Sequence, residues 1–292
     1  MWPGKAIVGF GVIATSMPAF GQDAGARTLG HGGAGVADTN APSGGAPSFA
    51  AVSLAPRYDV VGGAGLGPYS HIALTSKAFD SRTARVSMGG GYYRVWDNAP
   101  PRDAALPGWK PAGVEIEDPT VHNGVYLGFA LPVLERALSF SVIPRYDWRE
   151  SALTGNEGAL NAGVGIAARP IVGVSIAAFA GDLFPNDYPD TARTLAIGAR
   201  WDPGPYLGLG GDVEAPLTDE FAVGAFGWRA GLDAGFTEWL LVRGGYSNES
   251  GLSAAHAGVG LTSVKADVDY GARVALDGSW QHWHVLDFGV KF

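Results

Sequence analysis

The chain contains no cysteine, and only 16% of its residues are charged. The lack of cysteine is compatible with an oxidising compartment without demonstrating one. A transmembrane helix needs a run of about 18 or more apolar residues, and the sequence offers no such run. Because 47% of the residues are nonetheless hydrophobic, the apolar residues are dispersed in short pieces. This distribution suits a membrane β-barrel, and it also suits a large soluble all-β fold.

The N-terminus has the layout of a secretory signal peptide. Lys5 precedes an apolar run at 6–14, and Ala19-Phe20-Gly21 offers a small-x-small cleavage site. The run is too short to span a membrane, so we predict that residues 1–21 are a signal peptide removed on export. The alternative is a buried N-terminal strand or helix. An exported chain with a formal net charge of −8 is poorly suited to nucleic acid, and no nucleic-acid partner is predicted.

The last part of the chain alternates between apolar and polar residues with the period of a β-strand. Between residues 264 and 274 the apolar side chains share one face and the charged side chains share the other. The final run repeats this pattern, with one face formed by Leu286, Phe288, Val290 and Phe292. In a soluble sandwich the apolar face would meet a second sheet. In an outer-membrane barrel it would meet lipid, and the charged face would line the lumen.

About fourteen alternating segments follow residue 57, and their connections sort into two classes. Connections such as 169–170 and 202–205 are short, whereas the connections that alternate with them, such as 95–119 and 182–191, are mostly longer. The tight 67–68 turn is the exception on the long side. Outer-membrane barrels have short periplasmic turns and longer outer loops. We therefore predict an all-β, antiparallel up-and-down transmembrane barrel of about 14 strands in the outer membrane.

A glycine-rich motif stands just after the predicted signal peptide. The stretch Gly25-Ala-Arg-Thr-Leu-Gly-His-Gly-Gly-Ala-Gly-Val-Ala37 resembles the opening of outer-membrane barrels of the FadL type, which include long-chain fatty-acid transporters and PorV-like proteins. The segment 30–35 also matches a dinucleotide fingerprint, but no strand or βαβ unit surrounds it. The resemblance implies that residues 22–56 form a plug inside a barrel made by residues 57–292. The alternative is a periplasmic tail.

The closing segments carry the same resemblance. They contain Glu238-Trp-Leu-Leu-Val-Arg-Gly-Gly-Tyr246, then Ala257-Gly-Val-Gly260, then Asp267-Val-Asp-Tyr270, and the chain ends at Phe292. A terminal aromatic strand resembles the signal that the barrel-assembly machinery reads, so we expect that machinery to be a partner through Phe292. Outer-membrane lipid and lipopolysaccharide are the other expected envelope partners. The Asn-Pro-Ala element of the family is missing from this chain.

The resemblance implies passive transport of small hydrophobic molecules, of the fatty-acid or hydrocarbon kind, across the outer membrane. PorV-like relatives imply an alternative, which is a structural or docking barrel that anchors or shuttles secreted partners without transport. Apolar residues in the outer loops are the candidate ligand-binding residues: Trp96, Leu106, Trp109, Leu183 and Phe184. The third segment carries Gly89, Gly90 and Gly91, and glycine within a strand often marks a bulge. By resemblance, this strand is the candidate for a lateral opening into the membrane.

The period-two pattern places both acidic and basic residues on the strand faces that point inward in the predicted barrel. We expect them to pair across the lumen, and the candidates are Arg229, Asp233, Arg243, Lys265, Asp267, Asp269 and Arg273. Whether the lumen is open or plugged stays undecided by the sequence. No Gly-x-Ser-x-Gly or His-Glu-x-x-His motif is present, so we predict neither an enzyme nor a cofactor. His282 and His284 share a face, but interface placement is favoured over a metal site.

Overall fold

A computed structural model describes residues 34–38, 49–55, 59–66, 69–81, 86–97, 120–151, 155–184, 194–216, 226–249, 252–276 and 282–292. The predicted signal peptide therefore lies outside the described residues. The described part holds one short α-helix, α1 (Phe49–Val52), one 3-10 turn (Leu134–Arg136) and fourteen strands. The strands are β1 (Asp59–Leu66), β2 (Tyr69–Ser81), β3 (Val86–Asp97), β4 (Thr120–Val133), β5 (Leu138–Ser151), β6 (Gly155–Ile171), β7 (Val174–Gly181), β8 (Thr194–Gly204), β9 (Leu207–Pro216), β10 (Gly227–Gly235), β11 (Leu240–Glu249), β12 (Leu252–Thr262), β13 (Ala266–Ala275) and β14 (Trp283–Lys291).

The strands form one closed barrel in which every strand pairs with its neighbours in sequence. The first and last strands close it in antiparallel register, from Asp59 opposite Lys291 to Leu66 opposite His284. Closure satisfies the backbone groups that an open edge would leave unpaired, which a lipid environment requires. The predicted all-β up-and-down barrel and its strand number are confirmed.

The exterior of the barrel is apolar. On β14, Leu286 and Phe288 are each 56% exposed, whereas Val285 and Asp287, which alternate with them, are buried. The same alternation exposes apolar side chains around the barrel, among them Leu127, Phe140, Val142, Ile176, Ile197, Leu232 and Val259. Soluble proteins rarely expose contiguous apolar surface of this extent, so this exterior faces lipid. Within the described ranges, no helix is long and apolar enough to cross a membrane.

The sequence also predicts longer connections at 149–158 and 247–252, and both are short in the structure. Strand β5 continues to Ser151 and β6 begins at Gly155, while β11 ends at Glu249 and β12 begins at Leu252. The polar residues near these strand ends look like loop residues in the sequence. They continue the ladder instead, because their side chains pair between neighbouring strands: Arg149 of β5 donates to Glu157 of β6 at 2.5 Å.

The lipid-facing exterior predicts a large effect for a charge placed at the middle of the apolar band. Val142 is 53% exposed and lies on β5 between Phe140 and the aromatic side chain of Tyr146. We expect Val142→Arg to lower the free energy of unfolding by about 2–4 kcal/mol, because an arginine near the bilayer midplane is poorly solvated. Reversible unfolding in urea from lipid vesicles measures this change.

Val172 provides the matched control for that substitution. It is 98% exposed in the turn between β6 and β7, where the side chain meets water. Val172→Arg is expected to change the free energy of unfolding by less than about 0.5 kcal/mol. Equal effects of the two substitutions would contradict a lipid-facing exterior.

Candidate functional site

Part of the N-terminal stretch lies inside the barrel. We call residues 34–38 and 49–55 the inner segment. All four residues of α1 are buried. Phe49 and Leu54 pack in one cluster with inward-facing apolar side chains of β4 to β8. We call this wall the apolar half of the lumen, and it comprises Tyr126, Ala130, Ile143, Ala167, Ala177, Phe179 and Ala196.

A glycine in the barrel wall allows α1 to approach. A Cβ atom at Gly128 of β4 would lie 2.8 Å from ring atoms of Phe49, which is closer than real Cβ contacts. Only a residue without a side chain therefore lets the phenyl ring reach the wall. The small residues Ala130, Ala167 and Ala177 surround the same cluster. The wall is thus shaped by small side chains to receive one aromatic ring.

Polar contacts fix the end of α1 near the periplasmic side. The Ser53 hydroxyl donates to the carbonyl oxygen of Ala50 at 2.7 Å and contacts the hydroxyl of Ser139. The guanidinium of Arg136, in the β4–β5 turn, donates to the carbonyl oxygen of Ser53 at 2.6 Å. These contacts satisfy backbone and hydroxyl groups that burial would otherwise leave unpaired.

Asp212 of β9 holds the other part of the inner segment. Its Oδ2 atom accepts the backbone N–H groups of Gly35 at 2.6 Å and of Val36 at 3.0 Å. A Cβ atom at Gly198 of β8 would lie 2.1 Å from Asp212 Oδ1 and 3.0 Å from Val36 Cβ, so glycine is needed there too. The Ser175 hydroxyl adds a bond of 2.7 Å to the carbonyl oxygen of Ala37. A buried carboxylate with two amide donors is a strong attachment.

Beyond Asp212 the lumen wall is charged rather than apolar. Arg200 of β8 approaches Asp38 of the inner segment at 3.5 Å, Asp202 at 2.9 Å and Asp233 at 2.7 Å. Arg243 of β11 continues the row, 3.5 Å from Asp233 and 2.5 Å from Asp269 of β13. We call these residues the charged row. It links one residue of the inner segment to four strands of the wall.

The other predicted lumen charges occupy different environments. Arg229 is buried and donates to Glu214 at 2.8 Å, while Asp267 accepts from Lys291 at 2.7 Å. Arg273 is half-buried on β13. Lys265 lies in the exposed turn between β12 and β13, outside the row. The structure thus brings Asp233, Arg243 and Asp269 together, and it places the remaining four elsewhere on the wall or at the turn.

The candidate ligand-binding residues are described only in part. Leu106 and Trp109 lie outside the described residues, and Trp96 is described only through its backbone, which pairs with Val121 on β4. Leu183 is half-buried just beyond β7, and Phe184 is 54% exposed. Their backbone N–H groups bond to β6, at the Ala162 carbonyl oxygen and the Asn161 side chain.

Gly89, Gly90 and Gly91 lie within an unbroken pairing of β3 with β4. The irregularity falls on the other side of β3, where the register with β2 shifts between Ser76 and Phe79, next to Gly89. A Cβ atom at Gly90 would lie 2.7 Å from the carbonyl oxygen of Tyr126. These glycines therefore permit close approach to β4, and the bulge belongs to β2.

Two of the histidines that the structure describes, His256 and His284, make hydrogen bonds within the wall, whereas the Nδ1 atom of His282 is buried without one. His256 is buried inside and its Nε2 lies 2.9 Å from the Ser247 hydroxyl, while His284 Nδ1 lies 2.7 Å from the Tyr270 hydroxyl. Within the part of the chain that the structure describes, no group of three or more His, Asp or Glu residues is placed to hold a metal ion.

Sequence reasoning missed the residues that hold the inner segment. The attachment of Asp212 to Gly35 and Val36 joins residues that are 177 and 176 positions apart, so it leaves no local pattern in the sequence. Phe49 did leave a signal, because it is the only Phe, Tyr or Trp between residues 22 and 56. A lone aromatic residue in a Gly- and Ala-rich stretch predicts that its side chain anchors the stretch by packing into a buried site.

Two comparisons with known proteins found no relative, and a third found similar structures. No family model and no curated protein matches the chain. The toluene transporter TbuX of Ralstonia pickettii has 11% identity and a TM-score of 0.60, and the toluene transporter TodX of Pseudomonas putida has 9% and 0.62. Each match covers 92% of this chain and 97% of the other. Both are FadL-family outer-membrane barrels, so the resemblance inferred from the sequence is confirmed at the level of the fold.

Proposed function

We propose that this barrel lets small hydrophobic molecules cross the outer membrane passively. The observation that carries the proposal is the fold shared with two toluene transporters over 92% of the chain. The proposal requires no covalent chemistry and no energy source, because a concentration gradient drives passage. Capture at the outer mouth is assigned to Leu183 and Phe184, together with Trp96, Leu106 and Trp109.

The apolar half of the lumen supports a route for such molecules. Its aromatic and aliphatic side chains, including Tyr126 and Phe179, offer contacts that an apolar solute can make, whereas the charged row favours water and ions. The inner segment fills this half through Phe49. Passage therefore requires the inner segment to shift, and its attachments to Asp212 and Arg200 determine how readily it does so.

The β2–β3 seam is our proposed lateral exit, because a bulge there interrupts regular pairing. The absence of native cysteine allows a clean test with the paired positions Phe79 and Met88 changed to cysteine. Oxidation should slow uptake of a hydrophobic solute and reduction should restore it. The Val259→Cys/Tyr270→Cys pair on β12 and β13 is the matched control. Equal uptake by oxidised and reduced forms of the Phe79/Met88 variant would exclude this exit.

Release of the inner segment should open the lumen to ions. Asp212→Ala leaves the N–H groups of Gly35 and Val36 without their acceptor, at a cost of about 1–3 kcal/mol for each buried group. We expect higher and noisier single-channel conductance in planar bilayers. Asp267→Ala is the matched control, since Asp267 pairs with Lys291 on the wall. A conductance equal to that of the unsubstituted protein would contradict the proposed attachment.

A structural or docking barrel is the second candidate, and the filled apolar half of the lumen favours it. Mass spectrometry of apolar molecules that co-purify with the detergent-extracted barrel distinguishes the two functions. Transport predicts a defined hydrophobic molecule that is depleted in Phe184→Ser and Trp109→Ala. Bulk membrane lipid alone, identical in all samples, would support the docking barrel instead.

A further inference from the structure

A polar and aromatic group interrupts the apolar exterior on three neighbouring strands. Along β4, the outward residues Phe129, Leu127 and Val125 are all exposed, as lipid-facing residues should be. The next outward position is Asn123, which is only 1% exposed. It is covered by neighbours on β3 and β5. We call this group the exterior cluster, and it comprises Tyr92, Arg94, Asn123, Tyr146, Trp148 and Glu150.

Strand register sets the exterior cluster in rows at one level of the barrel. Arg94, Asn123 and Trp148 lie opposite one another, and Tyr92 and Tyr146 flank Val125 one row closer to the apolar band. The cluster lies near the ends of β3 and β5 that lead to connections 98–119 and 152–154. These belong to the outer side of the barrel, so the cluster lies where hydrocarbon gives way to headgroups.

Hydrogen bonds hold the charged members of the cluster in place. Arg94 pairs with Glu150 at 3.1 Å and also donates to Asn123 Oδ1 at 3.3 Å. The Asn123 amide nitrogen donates to Glu150 at 3.1 Å, and the Trp148 indole N–H donates to the same carboxylate oxygen at 3.3 Å. Asn123 therefore positions both charges. The side chains of Arg94 and Glu150 remain 31% and 37% exposed, so a ligand can reach them.

The aromatic members of the cluster lie close together beside these charges. The rings of Tyr146 and Trp148 stack with centroids 5.8 Å apart, and Tyr92 lies 6.3 Å from Trp148. Aromatic rings pack against the C–H face of a sugar, while a carboxylate accepts from sugar hydroxyls. Arginine is well suited to phosphate because its planar fork matches two phosphate oxygens. The cluster thus combines sugar-binding and phosphate-binding groups at headgroup level.

We propose that the exterior cluster binds the phosphorylated-sugar headgroup of lipopolysaccharide in the outer leaflet. Tyr146 and Trp148 stack on the sugar, Arg94 binds the phosphate, and Glu150 accepts from a hydroxyl. The acyl chains then lie along Val125, Leu127 and Phe129 on the same face of β4. The site is separate from the lumen, so it does not depend on the proposed transport.

Binding of purified lipopolysaccharide to the folded barrel in detergent tests this site. We expect Arg94→Gln to weaken binding about ten-fold, the change that loss of one charge-assisted contact produces. Trp148→Ala should weaken binding by about the same factor, because it removes a ring that stacks on the sugar. Arg94→Lys should bind more tightly than Arg94→Gln but less tightly than the unsubstituted protein, because lysine keeps the charge but lacks the planar guanidinium that binds two phosphate oxygens at once. Trp228→Ala is the matched control, since it removes an exterior ring on β10 whose centroid lies 5.1 Å from that of Tyr246 on β11, away from the cluster.

Three outcomes would overturn the proposal. Unchanged affinity in Arg94→Gln and Trp148→Ala, with both variants folded by heat-modifiable gel migration, would exclude the cluster as the site. Equal affinity for phosphatidylglycerol vesicles, with the same dependence on these variants, would make the ligand a phospholipid headgroup. A concentration-dependent dimer that Trp148→Ala abolishes would make the cluster an interface between copies of this chain.

Discussion

Arg200→Met is expected to lower the free energy of unfolding by about 3–5 kcal/mol, the cost of breaking a buried ion pair from one side. Arg200 is only 5% exposed, and it contacts the carboxylates of Asp38, Asp202 and Asp233. Methionine fills a similar volume without a charge. It would leave the buried carboxylates of Asp38 and Asp233 without the cation that both of them contact.

The effect should also reach the inner segment. Asp38 is its charged contact with Arg200, so repulsion in the Arg200→Met variant should loosen residues 34–38 and raise the conductance in planar bilayers. Arg149→Met provides the control, because the Arg149–Glu157 pair is 27% and 45% exposed. Exposed pairs contribute about 0–1 kcal/mol. A similar loss of stability in both variants would contradict the central place of Arg200 in the charged row.

Phe49→Ala is expected to lower the free energy of unfolding by about 3–5 kcal/mol, the usual cost of truncating a buried phenyl ring. Phe49 is 1% exposed and fills the space above Gly128 in the apolar half of the lumen. Glycine at that position has no side chain with which to fill the vacated volume. Urea unfolding from lipid vesicles measures the loss, with the intrinsic tryptophan fluorescence as the signal.

The same substitution should also change the rate at which apolar solutes enter the lumen. Removing the ring opens apolar surface around Tyr126 and Phe179, so we expect faster uptake of a small hydrophobic solute. Phe184→Ala is the control for stability, because Phe184 is 54% exposed and its truncation should change stability by less than about 0.5 kcal/mol. Unchanged stability in Phe49→Ala would show that the inner segment does not depend on this contact.

The barrel itself was predictable because lipid and lumen impose opposite demands on alternate residues. Strand β14 shows this clearly: Leu286 and Phe288 are exposed and Asp287 is buried, as the period-two pattern indicated. Errors arose where polar residues continue a strand, as at Arg149 and Asn248. Those side chains satisfy one another across the ladder, so polarity there does not mark a loop.

The interior arrangement was less predictable, because it depends on contacts between residues far apart in the chain. The sequence indicated that Asp233, Arg243 and Asp269 point inward, but it could not indicate which charges meet. The side chain of Arg243 on β11 can reach Asp269 on β13 because Gly260, on the strand between them, has no side chain. A Cβ atom at Gly260 would lie 2.3 Å from Asp269 Oδ1. Such a fit follows from the register of β11, β12 and β13, which local patterns do not determine.

Uptake of radiolabelled toluene tests the proposed transport most directly. The chain would be produced in a Gram-negative host that lacks hydrocarbon channels, and the initial uptake rate compared with that of cells carrying an empty vector. We predict a faster rate that an uncoupler does not reduce, since passage follows the concentration gradient. A rate equal to that of the empty vector, with folded barrel present in the outer membrane, would contradict passive transport of a small hydrophobic molecule.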